Sequence, residues 1–134
     1  MNNTIQNIKN NSAVKVVFTD LFDTLIHRGV HPNYVYRIWA KFLIRELGLT
    51  IDINALFKIR ANATTKLASD MKLNKVEVPY EFVMKEVYKR LVNSDNLNGV
   101  EWSTFQKISK ESDYRSETSV QYINTSLVEG LKTL

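Results

Sequence analysis

The sequence predicts a chain that is α/β by its first element and mostly α by everything after it, one N-terminal strand followed by four or five helices. Three observations carry this. Val14, Val16, Val17 and Phe18 fall within five residues, β-branched and aromatic, in a run too short for a helix of its own. Such a run reads as a strand buried on both faces, which requires a sheet with helices above and below. Beyond it, apolar residues recur at helical spacing in successive stretches. Prolines and glycines, two and four in all, mark several of the breaks between those stretches.

The 134 residues are one domain's worth of chain, 44% hydrophobic and 24% charged, enough for a single modest core. Cysteine is absent, so neither disulfides nor thiolate-bound metals hold the fold, and a reducing cytoplasm is the expected setting. The net charge of +4, with a pI of about 9.3, is a mild excess spread among interspersed acids. There is no Lys/Arg block and no aromatic platform between basic residues, so no nucleic-acid partner is expected. No apolar run approaches the roughly 20 residues of a membrane span, and the amino terminus lacks the apolar centre of a signal peptide.

Residues 1–12 are polar and Asn-rich and read as a mobile leader. Residues 13–32 hold the strand and the loop after it. Asp20, Leu21, Phe22, Asp23, Thr24 and Leu25 then lie just past the strand's carboxyl end, where open α/β sheets place ligands. Asp20 suits a nucleophile or a metal ligand there, because backbone amides and a low local dielectric hold a defined charge. Asp23 either reaches towards that site or caps the turn through nearby backbone amides. His27 and His31 flank the loop, but two histidines four apart share a face only on a helix, and Gly29 and Pro32 oppose one. They read as loop histidines. Arg28 either grips a substrate phosphate or carboxylate bidentately or pairs with Asp23.

Residues 33–119 read as helical. Pro32 opens a helix to Leu47 whose face carries Val35, Ile38, Trp39, Phe42 and Leu43, and Gly48 ends it as a left-handed cap. The Tyr34, Tyr36 and Trp39 cluster reads as core. Asp52 is the expected N-cap of a helix over 53–69, with Leu56, Ile59, Ala63 and Leu67 inward. Arg60 sits among them, and either points at an active site or covers the core with its stem. Residues 70–77 form a connector. Pro79 starts a third helix to Val92, with Tyr80, Met84, Val87, Tyr88 and Leu91 inside, and 93–100 is a loop. Ser103 to Gln106 reads as a capping box for a fourth helix with Phe105 and Ile108 on its apolar side. Residues 109–119 are nearly all polar, a solvated helix or a loop, with Glu111, Asp113 and Glu117 on a wet face. Residues 120–134 hold a last helix with Ile123, Leu127, Leu131 and Leu134 apolar.

The stretch from Val14 to Leu25 resembles the first motif of the haloacid dehalogenase-like superfamily, an apolar strand followed by an Asp and, at fixed spacing, Thr-Leu. The resemblance implies a Rossmann-like core and Mg²⁺-dependent hydrolysis of a small phosphate ester, with Asp20 as nucleophile and metal ligand and the Phe22 carbonyl as a second ligand. It places Thr24 and Arg28 against the substrate. Phosphatases of the superfamily carry a second Asp as acid/base where this chain has Phe22, which cannot transfer a proton, so Asp23 becomes the candidate acid/base. The variant Asp-x-Phe-Asp-Thr-Leu followed by Arg28 resembles a branch found beside or fused to bacterial surface-polysaccharide glycosyltransferases, and that branch commonly has an Arg at the place of Arg60.

In such proteins a helical cap follows the first motif, and residues 33–119 match it, with 120–134 as the helix returning to the core. The resemblance covers about the first half of such a protein. Motifs II to IV, which bind phosphate and complete the Mg²⁺ site, follow the cap in the family and are absent here. Hydrolysis by this chain alone is therefore not expected. A lone strand leaves its edges unpaired, so association with a second copy or with a completing partner chain is expected. The alternative is a non-enzymatic helical module that binds a partner and keeps a vestigial first motif.

Overall fold

The computed structural model describes residues 3–134 and is mostly helical. In chain order the elements are α1 (Asn3–Lys9), β1 (Ile26–Arg28), α2 (Pro32–Leu47), α3 (Ile53–Met71), a 3₁₀ turn (Lys75–Glu77), α4 (Tyr80–Asn93), α5 (Trp102–Val120), β2 (Gln121–Ile123) and α6 (Thr125–Lys132). They divide into two compact units, Met1–His31 with Val120–Leu134, and Pro32–Ser119.

In the first unit the expected strand is not formed. Residues Val14 to Asp20 have no regular secondary structure, and from Lys15 to Asp20 the backbone makes no backbone hydrogen bond among the described residues. Val16 is 65% exposed and Phe18 94%. The physical reason is the one that makes a buried strand demanding: it needs neighbours on both edges, and the described residues offer none. The strands that do form are β1 and β2, an antiparallel pair with Ile26 opposite Ile123 and Arg28 opposite Gln121. Where a mobile leader is expected, Asn3–Lys9 is helical and Ile5 is buried, its side chain lying against Gly130 of α6; Met1 and Asn2 lie outside the described residues. Asn124 caps α6, its side chain accepting from Leu127 N at 3.2 Å.

The second unit forms as its periodicity predicts. Asp52 accepts from Ala55 N at 3.0 Å and caps α3, and Gly48 takes the left-handed conformation after α2. Trp39, Leu43, Leu56, Ala63, Met84, Val87, Leu91 and Phe105 are fully buried where α2, α3, α4 and α5 meet. Tyr34 and Tyr36 are exposed and lie outside this core, which takes only Trp39 of the three expected there. α5 begins at Trp102, so Ser103 stands inside its first turn and does not cap it.

The polar stretch 109–119 continues α5, with Glu111 exposed as expected and one side of the helix interior. Ser109, Ser112 and Ser116, at helical spacing, are buried, and Asp113 on the same side pairs with Arg60 of α3 at 2.8 Å. The Arg60 guanidinium lies 4.2 Å from the Tyr36 ring centre and 4.5 Å from that of Trp39. Trp39 Nε1 donates to Ser109 O and Oγ at 3.3 Å, and Ser109 Oγ donates to Met84 Sδ at 2.9 Å. With its one proton spent, Ser109 Oγ accepts from the Tyr80 hydroxyl at 3.1 Å. These contacts join all four helices.

Removing one partner of the Arg60–Asp113 pair strands the other in the interior. Asp113→Ala is expected to cost about 3 kcal/mol in urea unfolding, whereas Arg60→Met with Asp113→Leu, which removes both charges, recovers most of that loss. Burial, then the charge of Asp113, pushes the Tyr80 hydroxyl up from its ordinary value. Above about pH 10 an unfolded Tyr sheds its proton while folded Tyr80 keeps it, so stability falls with rising pH there; Tyr80→Phe flattens that part of a stability–pH curve.

Candidate functional site

The candidate site is the turn that follows Asp20. Leu25 N and Ile26 N both donate to Leu21 O, at 3.0 and 2.9 Å, so the chain closes one tight helical turn immediately after the carboxylate. Asp23 N donates to Ile26 O at 2.7 Å, which ties the far side of the turn to the start of β1. To make both bonds the backbone must reverse at Asp23, which adopts φ +57°. Glycine enters that region without steric cost, and Asp is among the few other residues that tolerate it. Asp23 thus serves the turn through its backbone conformation, and its side chain is exposed.

Asp20 is exposed as well, so the low dielectric expected around it is missing. Its Oδ1 accepts from Leu21 N at 2.9 Å, and Thr19 Oγ1 donates to Asp20 O at 3.1 Å. The Phe22 carbonyl accepts no backbone hydrogen bond, and the Phe22 ring, half exposed, lies 5.3 Å from the Arg28 guanidinium. Thr24 offers its carbonyl to Asn124 Nδ2 at 3.2 Å, and Asn124 N donates to Leu25 O at 2.8 Å. One residue of the returning chain therefore pins the turn from behind. His27 lies on β1 with its ring 5.3 Å from that of Tyr122 on β2, a sheet-face contact.

Around the turn, the Phe22 ring lies beside Arg28, and Thr24 is held through its carbonyl by Asn124. Two oxygens, a carboxylate of Asp20 and the Phe22 carbonyl, are of the hard type that suits Mg²⁺, but they supply two of about six positions. Among the described residues no group of three or more His, Asp or Glu side chains gathers to complete such a site.

Sequence reasoning missed Asp113 as the partner of Arg60. A signal was present: Asp113 stands four residues after Ser109 and three before Ser116, on a face otherwise made of small residues. The β1–β2 ribbon was also missed, since three-residue strands leave no periodicity to read. No protein-family model matches the chain, and no curated protein matches it.

If the reversal at Asp23 is what the turn requires, Asp23→Gly leaves stability unchanged or raises it by up to about 1 kcal/mol, and Asp23→Val lowers it by about 1–2 kcal/mol. Thermal unfolding of the two variants against wild type reads the difference.

Proposed function

We propose that the chain is the nucleophile-bearing part and helical cap of a haloacid dehalogenase-like hydrolase, acting through Asp20 on a small phosphate ester. The observation that carries this reading is the geometry directly after Asp20: one tight turn, then a two-stranded ribbon from which the whole helical unit is inserted. The resemblance of Val14 to Leu25 implies a strand, the acidic turn and then a helical cap; the strand is not formed, and the turn and the helical unit follow in that order.

In this reading the Asp20 carboxylate attacks phosphorus in line with the ester oxygen. The P–O bond to the alcohol breaks, and water later hydrolyses the acyl phosphate, regenerating Asp20. Asp20 and the Phe22 carbonyl would hold Mg²⁺, with water or substrate oxygens completing its shell. A bound ion supplies the positive charge that lets one anion approach another. Arg28 orients the phosphate, and Asp23, the acid nearest in sequence, protonates the leaving alcohol in place of the Asp that Phe22 replaces. The phosphate-binding groups of motifs II and III come from outside these residues.

A second reading is favoured by one observation. The apolar side chains of Val16 and Phe18 stand exposed on a stretch with no backbone–backbone hydrogen bond among the described residues, which suits pairing with another polypeptide whether or not chemistry follows. That polypeptide is a second copy or a completing chain.

Hydrolysis of an aryl phosphate with Mg²⁺, run on wild type and Asp20→Asn with the mass in solution measured on the same samples, separates the readings. Turnover lost at least 100-fold in Asp20→Asn supports the hydrolase. Association without turnover leaves the partner-binding module, and a dilute monomer that unfolds in one cooperative step overturns both.

A further inference from the structure

We propose that the helical unit carries its own binding site for a small hydroxylated organic anion, in a cavity of about 320 Å³ walled by α2, α3 and the 3₁₀ turn, with Arg60 and Lys75 as the anion-holding groups. The site stands on residues 32–119 alone and does not depend on the chemistry of Asp20.

Charge is the first argument. Arg60 and Lys75 line the cavity and no carboxylate does. Arg60 is neutralised by Asp113, while Lys75 makes no ion pair among the described residues, so the cavity keeps about one positive charge.

The second argument is the state of Arg60. Nη1 is committed to Asp113 at 2.8 Å, and the rings of Tyr36 and Trp39 fix the guanidinium plane. Among the described residues Nε and Nη2 make no hydrogen bond, and the Arg60 side chain, 10% exposed, lines the cavity. Those two donors are the ones Arg60 has left for a ligand there. A fork of two donors held this rigidly matches a phosphate or carboxylate and loses little freedom on binding it.

The remaining wall chooses the body of the ligand. Thr64 Oγ1 donates to Arg60 O and Thr65 Oγ1 to Ala61 O, both at 3.0 Å, so each hydroxyl faces its surroundings as an acceptor. Acceptors in a cationic cavity select a ligand that brings O–H groups of its own. Tyr36 and Phe57 add aromatic surface to the wall, and the volume lies at the small end of ligand pockets, enough for one sugar-sized molecule.

Titration calorimetry on the full chain tests this, with glucose 6-phosphate, glucuronate, glucose and inorganic phosphate as probes. The expected result is binding of at least one hydroxylated anion with Kd of about 1 mM or tighter, and of glucose and inorganic phosphate at least about tenfold more weakly. Both anions binding assigns the site to oxoanions in general; the phosphate alone assigns it to phosphate esters. Lys75→Ala, at the exposed turn, and the charge-free pair Arg60→Met with Asp113→Leu each weaken binding about tenfold or more, while Asp20→Asn leaves it unchanged. Failure of both anions to bind by about 10 mM, binding indifferent to Lys75→Ala, or binding abolished by Asp20→Asn overturns the proposal.

Discussion

The helical unit depends on a guanidinium kept inside it. Arg60 enters from α3, and each of the other three helices contributes to its surroundings: Tyr36 and Trp39 from α2, Tyr80 from α4 with its ring centre 5.9 Å away, and Asp113 from α5. Desolvating a cation is costly, and attraction to one carboxylate rarely offsets it alone. Aromatic faces over the cation lower that cost without adding a second charge. The arrangement also dictates what else lines the interior. On α5 the residues that share the buried side with Asp113 are Ser109, Ser112 and Ser116. Each serine introduces a hydroxyl that has to be satisfied, and Ser109 is satisfied by Trp39, Tyr80 and Met84. The polar ladder and the ion pair are one solution to one packing problem.

That linkage explains which parts of the fold were legible in the sequence. Helices α2, α3 and α4 could be read because their apolar residues repeat at 3.6-residue spacing and their ends carry Pro32, Gly48, Asp52 and Pro79, each acting through local backbone geometry. Serines and an aspartate at the same spacing look like a solvated surface, because the feature that makes them interior is Arg60, fifty-three residues away in sequence. The Val14–Phe18 run shows the opposite failure. Its composition does describe a strand, but a strand is a pairwise object, and composition says nothing of whether a partner is present. Ile5 and Ile8, too few to register as a stripe, went unread for a related reason, since Ile5 is buried with Gly130 of α6, near the far end of the sequence, lying against it.

Around Asp20 the legible part was chemical and the illegible part geometric. The residue types and their spacing marked the turn, and its special conformation at Asp23 follows from the bonds it must close. Its anchoring could not be foreseen: Asn124 reaches back to Thr24 and Leu25 from the far end of the chain while also capping α6. One side chain thus joins the candidate nucleophile's turn to the last helix, with its amide nitrogen given to the first and its amide oxygen to the second.

The ribbon from which the helical unit springs also bears on the order of folding. Ile26 meets Ile123 only after the chain has run out through four helices and back, and closing so long a loop for the sake of two three-residue strands is unfavourable on its own. The helices of residues 32–119 are adjacent in sequence and collapse through short-range contacts, which form early. Their collapse brings Val120 within reach of Gly29, whose amide donates to its carbonyl at 2.8 Å, and the ribbon zips from that neck. The turn behind Asp20 closes through bonds within residues 21–26, but its anchoring by Asn124 depends on the same long closure, so the surroundings of the carboxylate are set in part by residues a hundred positions away.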